Sequence, residues 1–282
     1  MPVIVPDAGL SPQIPIDSPA GVPLIGYDNQ VTAISLVSTI DDSDHPVSNL
    51  ANVATHLFWE AAFQTGGLYS ILINLNGVSS VDYIGIAGHN FGSAGIGIMV
   101  QGFTGDSPDQ LTNLLTSASP GFVTVSDDSP LIIRFTPATY HGLLITLNVG
   151  GSTMPRAAVL YAGAITALER SIKVDAPHVP LTYGRATRIV SGMSESGNFL
   201  GRLVLSESRV TKAEFSYFTP TFYRNTMEDF LVAAETDPFF WAWAPDDYPL
   251  ETGYAWLISD PQPEVSPDTL RIALTLEMAG LT

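Results

Sequence analysis

Cysteine is absent from the chain, so neither a disulfide framework nor a thiolate site can form. Positive charge is scarce: 11 Lys and Arg stand against 28 Asp and Glu, for a net charge of −17. It is also unevenly placed. Before Arg156 the one basic residue, Arg134, meets 12 acidic residues, and from Arg156 onward 10 basic residues meet 16 acidic ones. So acidic a surface excludes sequence-specific nucleic-acid binding and attraction to anionic lipid, because phosphate recognition needs Lys and Arg to displace counterions. The same surface suits a wall past which DNA slides without sticking. No apolar run approaches the ~20 residues of a spanning helix, so membrane insertion is not expected. Residues 1–30 lack a basic segment followed by an apolar core, so a general secretion signal is not expected either.

Chemical signatures are lacking too. There is no GxSxG elbow, Walker loop, HExxH or dinucleotide fingerprint. The nearest glycine pattern, residues 92–97 (GSAGIG), has the wrong spacing and leads into a strand rather than a helix. The five histidines, His45, His56, His89, His141 and His178, never fall at metal-ligand spacing. Asp41, Asp42 and Asp44, with Asp127 and Asp128, have the chemistry of a Ca²⁺ site, but no EF-hand spacing accompanies them and solvated acidic loops explain them better. No carboxylate pair stands out as acid and base, and nothing marks a nucleophile. The expectation is a protein that is not an enzyme and holds no cofactor.

What remains is β structure. Hydrophobic residues make up 45% of the 282 residues and charged ones 14%, a globular composition with room for two domains. Residues 81–101 (VDYIGIAGHNFGSAGIGIMVQ) read as two buried strands around a polar, glycine-bearing break at His89, Asn90, Phe91, Gly92 and Ser93. The segments 31–39, 69–76, 131–135, 143–149 and 157–161 are further short strands. In 69–76, Tyr69, Ile71, Ile73 and Leu75 share one face. A short helix fits 108–117, with Leu111, Leu114 and Leu115 on one side. Many short strands between turn signals imply a β-sandwich or jelly roll.

The second half reads as α+β. Residues 185–191, 198–205 and 210–217 form a meander, and 269–278 alternates with Leu270, Ile272, Leu274, Leu276 and Met278 facing in. One helix spans 226–235, capped by Asn225, with Met227, Phe230, Leu231 and Ala234 as its buried stripe and Asp237-Pro238 as its stop. The domain reading is therefore a Pro-rich extended arm over 1–30, a β-sandwich over 31–155 and an α+β domain over 156–282. The arm carries Pro2, Pro6, Pro12, Pro15, Pro19 and Pro23. Trp241, Trp243, Tyr248, Tyr254 and Trp256 crowd together. Residues 239–243 (FFWAW) fit core and interface alike, since alternation sets Phe240 and Ala242 opposite Trp241 and Trp243.

Asn49-Leu50, Trp59, the stretch VDYIGIAGHNFGSAG and the strand ending VLYAG resemble the galactose-binding-like jelly-roll domains of siphophage tail proteins. The second half resembles tail-tube or distal-tail domains through Gly197-Asn198, Arg202, residues 210–218, residues 225–235, Pro238-Phe239-Phe240-Trp241 and Tyr254-Ala255-Trp256. The resemblance implies a structural virion component of the phage tail tip or baseplate, assembled in the host cytoplasm. Such a component forms a threefold or sixfold homo-oligomeric ring that joins the tail tube to the baseplate hub and distal proteins. It makes Trp241, Trp243, Tyr254 and Trp256 candidate subunit-interface aromatics. The competing reading is a carbohydrate-binding module for host-surface glycans, with loop residues Asp44, His45, His89, Asn90 and Tyr140 as its contacts.

Overall fold

The computed structural model describes residues 3–4, 21–63, 67–75, 77, 80–105, 111–115 and 121–282. The proline-rich stretch expected as an arm lies outside them, apart from Val3–Ile4 and the residues after position 20. In chain order the strands are β1 (Val3–Ile4), β2 (Leu24–Gly26), β3 (Leu36–Ser38), β4 (Trp59–Glu60), β5 (Leu68–Asn74), β6 (Val81–Ala87) and β7 (Gly97–Phe103). They continue as β8 (Thr112–Asn113), β9 (Val123–Thr124), β10 (Leu131–Ala138), β11 (Gly142–Asn148), β12 (Arg156–Ala157), β13 (Val159–Gly163) and β14 (Thr166–Ala167). The last are β15 (Arg185–Met193), β16 (Phe199–Phe218), β17 (Phe239–Ala242), β18 (Thr252–Leu257), β19 (Glu264–Val265) and β20 (Ile272–Leu281).

The first domain is a jelly-roll-like β-sandwich. One sheet runs β1-β10-β6-β13, the other β3-β5-β11-β7-β8 with β9 also on β7. Side-chain alternation decides what each sheet faces. Ile84 and Ile86 of β6, Leu131, Ile133 and Phe135 of β10, and Leu160 and Ala162 of β13 fill the sandwich core with Ile71, Ile73, Ile98, Leu143 and Ile145 opposite. The intervening residues Tyr83, Ala87, Ile132, Val159 and Tyr161 are buried as well, in a second apolar layer shared with Leu24, Phe240, Ala242 and Tyr254. A sheet covered on both faces explains why these strands read as continuous apolar runs.

The second domain is an antiparallel sheet, β14-β2-β17-β18-β20-β16-β15, with β19 also on β20. Its first face meets the sandwich. Its second face carries Ile25, Phe215, Phe239, Trp241, Ile272, Leu274 and Leu276 against Met227, Phe230 and Ala234 of a helical segment. The protein is thus a stack: sheet, core, sheet, core, sheet, core, helix. At the middle layer the backbones come close. A Cβ on Gly85 would run into the Phe240 ring, and one on Gly26 would sit 2.7 Å from the Tyr83 ring.

Several expectations are corrected. The sandwich does not stop at residue 155, because β12 pairs with β4 and β13 with β6. The change in charge near Arg156 precedes the boundary in hydrogen bonding, which falls after Gly163. Leu24–Gly26, inside the expected arm, is a strand of the second domain, pairing with β17 and β14. The described part of the expected 108–117 helix is strand β8 on β7, followed by a turn in which the Asn113 side chain accepts from the Leu115 N–H at 3.0 Å. The helix over 226–235 begins earlier. It runs as α1 (Pro220–Phe222), a π-helical turn (Tyr223–Met227) and α2 (Glu228–Ala234), so Asn225 is inside it. Thr219 is the cap: its hydroxyl accepts from the Phe222 N–H at 3.2 Å, and Pro220 occupies the first helical position. Leu270 does not face in; it is 64% exposed in a left-handed turn (φ 54°).

Candidate functional site

Two features of the described residues stand apart from the packed layers: the loop end of the sandwich and a hairpin projecting from the second domain.

The loop end gathers residues after β3, around β4, after β6, before β10 and before β12. Asp41 organises it from beneath, accepting the Trp59 indole N–H at 2.9 Å and the Val47 N–H at 3.0 Å. Asp42 accepts from the Asp44 N–H at 2.9 Å and meets His45 Nδ1 at 3.2 Å. These bonds, the Asp44 amide first, hold its carboxyl below the usual range. His45 stacks on Phe58 with centroids 4.2 Å apart and planes 18° from parallel, and the exposed Arg156 guanidinium lies 6.0 Å from the Phe58 centroid. Asp44 and His45 are therefore brought together, beside an aromatic ring and a cation absent from the sequence-based candidates.

His89 and Asn90 lie at the same end but are buried. Asn90 ties two loops together, donating to the Met154 carbonyl at 2.8 Å and accepting from the Arg156 N–H at 3.0 Å. His89 stacks on Phe91 at 4.7 Å and accepts the Phe91 N–H at Nδ1 (3.3 Å). Burial drives its pKa down to about 4, against the opposing pull of Asp128. Tyr140 is at the opposite end of the sandwich. It is buried edge-on to Phe135, with its hydroxyl on the Thr136 carbonyl at 3.0 Å, which makes it core. The acidic residues considered for Ca²⁺ are engaged separately: Asp128 accepts from the Ser93 N–H at 2.9 Å and Asp127 from the Ser129 N–H at 3.1 Å. Among the described residues no three His, Asp or Glu side chains are placed to hold a metal ion.

The hairpin is β15 with the first half of β16. The expected three-strand meander is in fact two strands, the second running 20 residues without a break. Ser206, Glu207, Ser208 and Arg209 between its apolar halves contain no Gly or Pro, so nothing stops the strand there. Pairing with β20 begins only at Arg209, so residues 199–208 bond to β15 alone. At ~3.3 Å per residue this is a ribbon about 30 Å long. Gly197 (φ 81°) closes its tip, where Ser194 bonds Asn198 through both backbone and side chain. Met193, Phe199, Leu200 and Leu203 are each more than 60% exposed, and Val190, Val204 and Leu205 about half exposed. Consecutive residues alternate in direction, so both faces of the ribbon are apolar and uncovered. The sequence signal was FLGRLVL, an apolar run with no polar alternation to mark a solvent face.

The four aromatic interface candidates divide. Trp241 is buried in the helix-side core. Tyr254 is buried between the two domains, its hydroxyl on the Val53 carbonyl at 2.9 Å. Trp243 is half-buried, stacked on Tyr248 at 5.0 Å with its indole N–H on Glu251 at 2.6 Å. Trp256, 38% exposed, is the one of the four at the surface.

No protein-family model matches the chain, and no curated protein matches it. Solved structures similar to it include chitosan-binding module 1 of a chitosanase/glucanase from Paenibacillus sp. IK-5, at 14% identity and a TM-score of 0.41, covering 49% of this chain and 99% of that one. A pectin-binding carbohydrate-binding module matches at 17% identity and a TM-score of 0.38, covering 49% and 93%. The CBM32 module of AlyQ, in complex with 4,5-unsaturated mannuronic acid, matches at 18% identity and a TM-score of 0.37, covering 49% and 96%.

Proposed function

We propose that this chain is a non-enzymatic structural subunit, in which the hairpin grips a neighbouring copy and the sandwich, locked to the second domain, is carried as a rigid outer module. The single observation behind this reading is the ribbon that is apolar on both faces. A two-stranded hairpin is at best marginally stable alone in water, and a patch of large apolar side chains of this extent marks an interaction surface. The distal end of a phage tail, the setting implied by the sequence resemblance, is a place for such a subunit: copies close into a ring, and the net charge of −17 keeps DNA in the channel from adhering. The test is the mass of the full chain in solution beside a variant in which residues 190–203 are replaced by Asn-Gly. Wild type is expected to form a discrete oligomer and the shortened chain a folded monomer. A wild-type monomer at about 100 µM, a concentration at which contacts of micromolar strength are saturated, sinks the reading.

A second reading, contact between the sandwich and a glycan, is favoured by one cluster. Asp42, His45, Phe58 and Arg156 set hydrogen-bonding groups beside an aromatic ring at a loop end open to solvent. Titration with chitosan and pectin fragments tests it. Binding by wild type that is lost in His45→Ala and Arg156→Ala supports it, and a flat response from wild type dismisses it.

A further inference from the structure

Resting on the assembly reading above, we propose that the tip of the hairpin seats in one particular groove of the next copy: the cavity between α2 and residues 257–263. This cavity, of about 600 Å³, is lined by the half-buried Leu231 and Leu257, by the more exposed Val232 and Ile258, and by Glu228, Glu235 and Asp260, with no Lys or Arg among its lining residues. The hairpin is its complement. Residues 185–212 hold five of the 11 basic residues of the chain and two of its 28 acidic ones. Arg185 and Arg209 face Glu207 at the hairpin base, at 3.9 and 3.6 Å, whereas Arg188 and Arg202 further out make no ion pair among the described residues. Beyond them Met193, Phe199 and Leu200 flank a polar closing turn, residues 194–198, whose one charged residue is the exposed Glu195.

A basic ribbon with apolar side chains flanking its closing turn fits an acidic groove with an apolar lining, and an acidic chain offers few other basic partners for that groove. The occupant comes from a second copy because of where the two parts leave the sheet. The ribbon departs from β16 at Arg209 towards Phe199. The groove loop instead starts where the Ile258 N–H bonds the Glu277 carbonyl, beside Lys212, and lies towards the Phe218 end of the same strand. Donor and acceptor thus face opposite ways along β16. A contact of that kind is heterologous, repeating from copy to copy until it closes as a ring or continues as a filament.

The absence of cysteine permits a direct test in the full chain. Phe199→Cys and Val232→Cys together, under mild oxidation, should give a covalent ladder on a non-reducing gel. Either change alone should give at most a dimer. In parallel, Arg188→Glu with Arg202→Glu should weaken self-association in sedimentation by about tenfold or more, and adding Glu235→Arg with Asp260→Arg to the same chain should restore most of it. If wild type assembles and the shortened hairpin does not, yet no ladder forms and the groove reversal restores nothing, the groove is the wrong acceptor while the gripping hairpin stands. If wild type is monomeric at about 100 µM, both fall together.

Discussion

Tyr161 and Tyr254, whose rings touch, each send a hydrogen bond into the other's domain. Tyr161, in the sandwich, donates to the Pro238 carbonyl of the second domain at 3.0 Å, and Tyr254, in the second domain, donates to the Val53 carbonyl of the sandwich at 2.9 Å. Their rings meet edge to face at 6.1 Å. Burial pushes the Tyr161 hydroxyl up to about 12 and the Tyr254 hydroxyl higher still, so both remain protonated donors at any physiological pH. Tyr161→Phe and Tyr254→Phe should each cost about 1 kcal/mol, because each removes a hydrogen bond to a part-buried carbonyl of the other domain. Urea denaturation followed by far-UV and near-UV signals checks this. Wild type should unfold in one transition, and two separated transitions would show that the interface does not couple the halves.

A second expectation concerns Gly85 and Phe240, which meet because one has no side chain. Gly85→Ala drives a Cβ into the Phe240 ring and should cost about 1–3 kcal/mol by overpacking. Phe240→Leu leaves a void between the sheets and should destabilise by a similar amount. Combined, the two should cost less than their sum, since the smaller side chain vacates part of the space that the new methyl needs. A double-mutant cycle in urea measures the coupling, and strict additivity would mean that the backbone shifts instead.

The same middle layer explains why some of this fold is legible in the sequence and some is not. In residues 69–75, Tyr69, Ile71, Ile73 and Leu75 alternate with more polar neighbours because one face of β5 is solvent-exposed, and all four are buried as expected. Strands β6, β10 and β13 also read as strands, but their unbroken apolar runs cannot say that the second face meets another domain. The alternation in FFWAW correctly separates Trp241 from Phe240; that the face of Phe240 belongs to the chain's own sandwich is a tertiary fact. Proline density hid β2, because Pro23 precedes a strand and leaves the ladder donors of Leu24–Gly26 intact. His45 was visible as a candidate. Phe58, 13 residues after His45, carried no signal of its own, and Arg156 joins them only because the fold brings in a position about a hundred residues further on.

Arg134 tests how the middle layer tolerates charge. It is 6% exposed, its Nε has no hydrogen-bond partner among the described residues, and burial lowers its pKa against the opposing pull of Asp82 and Asp246. Asp82 is itself raised by burial, although it accepts the Ile165 N–H at 2.7 Å. Removing the cation takes a favourable charge away from a half-buried carboxylate that keeps its bond from the Ile165 N–H. Arg134→Met should therefore cost about 1–3 kcal/mol at neutral pH, and adding Asp82→Asn should recover part of it. The deficit of the single variant should shrink as pH falls and Asp82 takes up a proton. A deficit independent of pH would point to lost packing rather than lost charge.

His89 gives the pH dependence its sign. The folded protein holds it near 4, below the 6.5 of a free imidazole, because the ring is buried on Phe91. On acidification the unfolded chain therefore takes up the proton first. The stability that depends on neutral His89 is complete above pH 6.5, drains away between 6.5 and 4, and falls no further below that. The full loss is about 3 kcal/mol, at 1.36 kcal/mol per pKa unit. The carboxylates begin to titrate near the lower limit, so the comparison belongs in the window from about pH 6.5 to 5. Urea midpoints measured there should fall steeply for wild type and less steeply for His89→Gln, which removes the titrating ring. Parallel slopes would mean that His89 is protonated in the folded protein, and that Asp127 and Asp128 outweigh its burial.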